Sequence, residues 1–146
     1  MLMSPTIHCP RTLTYVSNTN PFLKASLQPD ICSDEDIQVI KISAPNLKPI
    51  HLFNIYNETP RYDCSLPYTI ERKLKNITLP SSTILAGDFN EHHIWWNSRA
   101  HRSLRHKTLI QIFIEGNYDL INEEDTPTYH DINGSSVLDL CNNYSS

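Results

Sequence analysis

Residues Thr83–Asn90 read TILAGDFN and are the stretch from which the fold is inferred. The apolar start of this stretch, TILA, is bounded by polar residues before it and by Gly87 after it, which is typical of a buried strand. Asp88 and Asn90 follow on the loop that leaves this strand, where a carboxylate can bind a divalent cation or position a water molecule. The same two residues are also compatible with an Asx turn that only ends the strand.

Upstream of this stretch, the pattern predicts more strands. Ile37–Ser43 (IQVIKIS) and Ile50–Asn57 (IHLFNIYN) alternate apolar and polar residues, although the alternation slips at Ile40. The short connection between them contains two prolines, so the pair is predicted to form a hairpin. Thr12–Val16 is β-branched and aromatic and predicts a further strand, whereas Pro21–Asp36 is rich in turn residues.

Downstream and between the strands, apolar residues at helical spacing predict helices at Pro67–Ile77 and Lys107–Glu115. Gly116 is expected to cap the second helix. Short strands are predicted beyond it, the last two separated by a turn at Asp131–Ser135: Tyr118–Ile121, Thr128–Tyr129 and Val137–Leu140. This order mixes hairpins with helical crossovers, so the predicted fold is an α/β (α+β) sandwich.

The composition narrows the classes of function. The chain has 146 residues and a net charge of −4, which argues against a strongly basic nucleic-acid-binding protein. Its 3 glycines form neither GxGxxG nor GxxxxGK[ST], so phosphate chemistry would need side chains or a metal. No apolar run approaches the roughly 18 residues of a membrane span. The 4 cysteines form no CxxC pair, and they are interpreted as reduced thiols of an intracellular protein.

Other polar residues leave alternatives open. Asp139 lies in an apolar stretch, where a carboxylate needs either a partner or solvent. His92 and His93 suggest a metal site, but no third ligand stands at a fixed spacing, and packing against a neighbouring tryptophan is favoured. Arg102 and Arg105 belong to a dense basic segment, which is interpreted either as a contact to DNA phosphates or as a solvated helix start.

Taken together, these segments resemble the endonuclease/exonuclease/phosphatase superfamily, and most closely the endonuclease domains of non-LTR retrotransposons. The matching motifs stand in family order: a strand ending in a tyrosine at 54–57, GDFN at 87–90, HHxxWxS at 92–98, PT at 126–128 and S-x-[IL]-D at 136–139. The match runs from about residue 12 to about residue 141. The resemblance implies two mixed β-sheets flanked by helices, with residues 1–146 as a single partial domain.

The resemblance also implies roles for the matched residues. Asp88 would activate or align the attacking water and bind the metal, and Asn90 would hold Asp88 and the scissile phosphate. Tyr56 would contact that phosphate through its hydroxyl group. Asp139 would orient a histidine that polarises the phosphate, and Thr128 would support the site. Substrate contacts are implied for four further residues: Asn57, His92, Arg102 and Arg105. The cofactor would be Mg²⁺ or Mn²⁺.

Two parts of the family pattern have no counterpart in the chain. The family's early Asn and metal-binding Glu precede the region matched by Thr12–Val16, but the first acidic residue here is Asp30. The family's Ser-Asp-His motif follows the S-x-[IL]-D strand, but no histidine follows Asp139. The chain is therefore expected to be the central part of the domain, truncated at both ends, with impaired catalysis.

The function that follows from the resemblance is a retrotransposon-type endonuclease that nicks DNA by metal-assisted hydrolysis. Its expected partners are DNA and a reverse-transcriptase polyprotein from which the chain is derived or to which it is fused. Its expected location is intracellular, and nuclear if it is functional. The alternative is a degenerate, non-catalytic DNA-binding or relic module. A phosphatase for a small phosphorylated molecule is a third hypothesis, against which the HHxxWxS segment argues.

Overall fold

The computed structural model describes residues 10–17, 19–58, 73–100, 107–132 and 134–144. Within these ranges the chain forms a six-stranded sheet, a two-stranded sheet and a well-defined helix α1. The bounds are β1 Lys24–Leu27, β2 Ile37–Ser43, β3 Ile50–Tyr56, β4 Thr83–Asp88, α1 Lys107–Glu115, β5 Tyr118–Leu120, β6 Tyr129–Asp131, β7 Gly134–Ser136 and β8 Asp139–Tyr144.

The larger sheet is mixed and has the strand order β1-β2-β3-β4-β8-β5. Strands β3 and β4 are parallel, and every other neighbouring pair is antiparallel. Strands β6 and β7 form the separate hairpin. The mixed sheet, the second small sheet and the helix confirm the predicted α/β class.

The core lies on one face of the larger sheet. Val39, Phe53 and Leu85 stand opposite one another across β2, β3 and β4 and are buried together. Two side chains of α1, Leu109 and Phe113, belong to the same buried cluster. Because side chains alternate along a strand, the residues between these core positions project from the opposite face.

The N-terminal part of the sheet differs from the prediction. Thr12–Val16 is not an extended strand, since only Thr14 makes an isolated bridge. Instead, the side-chain amide of Asn54 holds this segment by donating to the carbonyl oxygen of Leu13 and to Thr14 Oγ1, each at 3.1 Å. Strand β1 lies inside the stretch that was predicted to be turns. Its pairing with β2 stabilises it, and that pairing leaves no signal in its own sequence.

The predicted strand Val137–Leu140 is also wrong. Strand β7 ends at Ser136, and β8 begins at Asp139. Between them, the amide groups of Leu138 and Asp139 donate to Thr128 Oγ1 instead of to a neighbouring strand. A hydroxyl group from another segment thus interrupts an apolar run that would otherwise continue.

The helix α1 has the predicted bounds, but its end is built differently. Asn117 adopts the left-handed conformation with φ 52°, so the left-handed residue at the end of α1 is not Gly116. A Cβ atom at Gly116 would lie 2.5 Å from the ring of Tyr118, which explains the glycine. Most of the predicted helix Pro67–Ile77 lies outside the described residues. None of the described helices has the length and apolar character needed to cross a membrane.

Candidate active site

Tyr56, Asp88 and Asp139 lie side by side at one edge of the larger sheet. Tyr56 is the register partner of Asp88 across parallel strands β3 and β4, and Asp88 is the partner of Asp139 across antiparallel strands β4 and β8. Because β8 runs opposite to β4, its first residue meets the last residue of β4. Paired residues project from the same face of a sheet, so a phenol and two carboxylates share one surface.

The Asp88 carboxylate is held by a backbone amide and faces a second carboxylate. Its Oδ1 accepts a hydrogen bond from the amide of Asn90 at 3.0 Å. Burial raises the pKa of Asp88, the Asn90 hydrogen bond opposes this rise, and the neighbouring Asp139 adds to it. No ion pair joins Asp88 to a cation within the described ranges. The site therefore holds negative charge that no described side chain neutralises.

The backbone conformation and the packing explain the residue types found in the GDFN loop. Gly87 has φ 138°, and a Cβ atom there would lie 2.0 Å from the carbonyl oxygen of Ile55, so only glycine fits. Phe89 is buried in the core, and its amide donates to the Leu138 carbonyl at 3.0 Å. The bond from the Asn90 amide to Asp88 has the form of an Asx turn. The structure thus shows the Asx turn that was one of the two alternatives drawn from the sequence, and the chemical role of Asp88 stays a prediction.

Asn90 and Asn57 bind each other's segments. The Asn90 side-chain amide donates to the Asn57 carbonyl at 2.7 Å, and the Asn57 side-chain amide donates to the Phe89 carbonyl at 2.8 Å. Asn57 is only 1% exposed. The structure therefore places Asn57 beneath the loop and not on the surface that a substrate would touch, contrary to the sequence prediction.

Asp139 is positioned through its backbone. Thr128 Oγ1 accepts the Asp139 amide at 2.9 Å, and the Asn122 side-chain amide donates to the Asp139 carbonyl at 3.0 Å. Asn122 Oδ1 also accepts the amide of Cys141 at 2.6 Å. The sequence motifs predicted the supporting role of Thr128 but gave no role to Asn122. Its only signal was its place directly after the predicted strand Tyr118–Ile121.

A charged cluster beside Tyr56 was missed by sequence reasoning altogether. Arg11 donates to the Asp36 carboxylate through Nε and Nη2 at 2.5 and 2.7 Å, and to Glu58 through Nη1 at 2.6 Å. These bonds, with Asp36 the larger contributor, raise the pKa of Arg11 above its ordinary value. The guanidinium lies 5.4 Å from the centre of the Tyr56 ring. Lys73 adds a second cation, 2.7 Å from Asp36.

Three further residues were predicted to contact the substrate: His92, Arg102 and Arg105. His92 is exposed. The ring of His93 packs 5.4 Å from that of buried Trp96, which fits the packing alternative. Arg102 and Arg105 lie outside the described residues. In the described part of the chain, no group of three His, Cys, Asp or Glu side chains is placed to hold a metal.

The model of the endonuclease–reverse transcriptase family matches residues 50–143. The chain belongs to the endonuclease–reverse transcriptase family. The predicted resemblance to retrotransposon endonucleases is thereby confirmed, and the matched region contains Tyr56, Asp88 and Asp139.

A solved structure shows the same fold. It is the endonuclease domain of TRAS1, a telomere-specific non-LTR retrotransposon, with a TM-score of 0.66 and 24% sequence identity. The match covers 82% of this chain and 53% of that domain, so the chain spans about half the length of that structure. Among curated protein sequences, none is significantly similar to the chain.

Proposed function

We propose that the chain is a retrotransposon-type endonuclease domain that hydrolyses DNA phosphodiester bonds with the help of a divalent cation. The observation that carries the proposal is the row formed by Tyr56, Asp88 and Asp139 on one face of the sheet. A hydroxyl donor beside two carboxylates is suited to binding a phosphate, aligning a water molecule and attracting a cation.

The residues present fit part of a site for Mg²⁺ or Mn²⁺. Asp88 and Asp139 supply the oxygen donors that these ions prefer, and their mutual repulsion would be relieved by a positive charge. Asp88 would hold the ion, and the other ligands would come from water, from the substrate or from residues outside the described ranges. When bound, the ion would supply Lewis acidity to the phosphate.

The protein's own groups would divide the remaining work. The Asn90 amide fixes the Asp88 carboxylate by donating to its Oδ1, so that this carboxylate would align or activate the attacking water. The Tyr56 hydroxyl would donate to a non-bridging oxygen of the scissile phosphate. Thr128 Oγ1 accepts two backbone amides, so its own proton is free to be donated. In the family pattern, Asp139 would orient a histidine that polarises the phosphate, but that histidine has no counterpart after Asp139 in residues 1–146.

DNA binding would need locally concentrated positive charge, because the chain as a whole is acidic. We assign the phosphate contacts to the basic segment that contains Arg102 and Arg105. As part of a reverse-transcriptase polyprotein, the domain would act on DNA in the nucleus, and residues 1–146 would form one partial domain.

A plasmid-nicking assay tests the proposal. Supercoiled plasmid is incubated with the chain and Mg²⁺ or Mn²⁺, and nicked circles are measured for the unchanged chain, for Asp88→Ala and for the unchanged chain with EDTA. Asp30→Ala serves as the matched control, since Asp30 is an exposed aspartate outside the site. Weak nicking is expected from the unchanged chain and from Asp30→Ala only, because the family's metal-binding Glu and its histidine have no counterpart in residues 1–146.

Two other results would contradict the proposal. Equal nicking by Asp88→Ala would show that the row is not the site. Salt-dependent DNA binding without nicking, weakened by Arg102→Ala and Arg105→Ala, would instead support the non-catalytic alternative.

A further inference from the structure

The ends of strands β3 and β4 are joined by a reciprocal pair of asparagines, and we propose that Asn57 is the positioning residue that fixes Asp88 relative to Tyr56. The catalytic consequence of this proposal rests on the proposed function. The geometry itself concerns only how two adjacent loops are held, and it is testable without activity.

The pairing between the β3 and β4 segments extends beyond the end of β3. The Asn57 amide donates to the Asp88 carbonyl at 2.8 Å, so the contact between the two segments continues for one residue after Tyr56. Its side chain then donates to the next carbonyl along the partner segment, that of Phe89, at 2.8 Å. One residue thus holds two successive carbonyl groups, those of Asp88 and Phe89.

A second hydrogen bond runs in the opposite direction, from the β4 segment to the β3 segment. The Asn90 side-chain amide donates to the Asn57 carbonyl at 2.7 Å, and Asn90 adopts φ 47° to make it, a conformation that asparagine tolerates better than most residues. The backbone amide of the same Asn90 binds Asp88 Oδ1. Because Asn90 is held at both points, the position of the Asp88 carboxylate depends on the bonds that Asn57 makes.

Asn57 can make its contact to the Phe89 carbonyl only with a side chain of its size that carries a hydrogen-bond donor. It is buried to 99% and lies beneath the loop. Alanine would leave the buried Phe89 carbonyl without its hydrogen-bond donor, which is destabilising. Aspartate would have the same size but would place an acceptor against another acceptor.

A positioning role predicts a specific kinetic signature. Catalytic groups must be held within about 0.5 Å of their productive geometry, so loosening Asp88 should slow the chemical step. It should not weaken DNA binding, because Asn57 does not lie on the exposed surface. A residue that contacted the substrate would show the opposite pattern.

The first experiment measures how firmly the Asn57 and Asn90 side chains are hydrogen-bonded, and it needs no assay of activity. Hydrogen exchange of the asparagine side-chain amides is followed by NMR in the unchanged chain, with Asn57→Ala used to assign the Asn57 signal. The Asn57 and Asn90 amides are expected to exchange more slowly than that of exposed Asn143, and the Asn90 amide is expected to exchange faster in Asn57→Ala. The proposal would be overturned if the side-chain amides of Asn57 and Asn90 exchanged as fast as that of Asn143.

The second experiment measures nicking kinetics for Asn57→Ala. We expect kcat to fall by about tenfold or more with KM unchanged. Asn54→Ala is the matched control: it removes another asparagine of β3 whose amide binds a distant segment, and its kcat and KM should equal those of the unchanged chain. A raised KM with unchanged kcat, or no change, would refute the positioning role.

The two experiments separate the two proposals. If the unchanged chain does not nick DNA, the proposed function fails. The exchange rates still decide whether the Asn57 and Asn90 side chains hold the two loops together. If Asn57→Ala does not fold, two other measurements decide whether Asn57 positions Asp88. They are the slow exchange in the unchanged chain and the kinetics of Asn57→Ser, which keeps a short donor.

Discussion

Two carboxylates at the same edge of the sheet have opposite surroundings. Asp36 directly precedes β2, and its carbonyl accepts the amide of Tyr56 at 2.9 Å. Its carboxylate is 1% exposed and binds two cations, Arg11 and Lys73. Asp88 lies on the other side of Tyr56, where its neighbour is a second carboxylate and burial raises its pKa.

The difference indicates which carboxylate maintains the fold and which is available for chemistry. A buried charge that is fully paired inside the protein has no capacity left for a ligand. A half-buried carboxylate next to a like charge is destabilising unless a cation or a proton joins it, and such perturbed groups are typical of functional sites. Asp36 thus supports Tyr56 from one side, while Asp88 and Asp139 form the side that we propose to be reactive.

The largest expected effect comes from Asp88→Asn. Asparagine keeps the oxygen that accepts the Asn90 amide but loses the charge and the ability to accept a proton. Nicking should fall by about 100-fold or more, whereas the melting temperature at neutral pH should not fall. Plasmid nicking and thermal unfolding measure the two quantities, and a large loss of stability would contradict the comparison.

The next effect is the reverse, a loss of stability from Asp36→Asn. Removing one partner of a buried ion pair leaves uncompensated charge, so the free energy of unfolding should fall by about 3 kcal/mol. Glu35→Gln is the control, since Glu35 is 36% exposed and lies 3.6 Å from Arg11. It should change the free energy by less than about 0.5 kcal/mol. Equal effects in a urea titration would show that the cluster is not structural.

A third expected effect is the pH dependence of stability. Because the pKa of Asp88 is raised in the folded state, the folded chain binds more protons than the unfolded chain, and stability falls as pH rises through this titration. Asp88→Asn should therefore be more stable than the unchanged chain at neutral pH. The difference should vanish as the pH falls below the pKa of an unfolded aspartate. Melting curves across pH measure it, and a difference that grows in acid would have the wrong sign.

The smallest effect is expected at Asp125, where the sign is opposite. The hydroxyl and amide groups of Ser98 each donate to Asp125 at 2.6 Å and lower its pKa. This contribution to stability is present above the pKa of the unfolded state and is lost as the pH falls through the folded-state pKa. Asp125→Asn should lower the melting temperature slightly at neutral pH and not in acid. An equal decrease at both pH values would exclude the ionised hydrogen bond as its cause.

Much of the local structure was predictable because its causes are local. The alternation in Ile37–Ser43 and the helical spacing in Lys107–Glu115 gave the bounds that the structure shows. The GDFN stretch gave both the strand end and the carboxylate of the candidate site. Strand β1 was not predictable, since its stability comes from pairing with β2.

The supporting contacts of the site were not predictable, because their partners are distant in the chain. The Asn57 side chain finds its acceptor 32 residues away. Arg11 reaches Asp36 across 25 residues, and Lys73 reaches it across 37. No periodicity or motif encodes such pairings.

By itself, the sequence determined the strand and helix periods, the glycine that the tight approach at residue 87 requires, and the order of motifs that assigns the family. Only the tertiary structure decided which carboxylate is paired with cations and which has no cationic partner among the described residues. Both Asp36 and Asp88 adjoin apolar strands and look alike in sequence. Their electrostatic surroundings depend on which distant charges folding brings within a few ångströms, because charge interactions weaken with distance and with exposure to water.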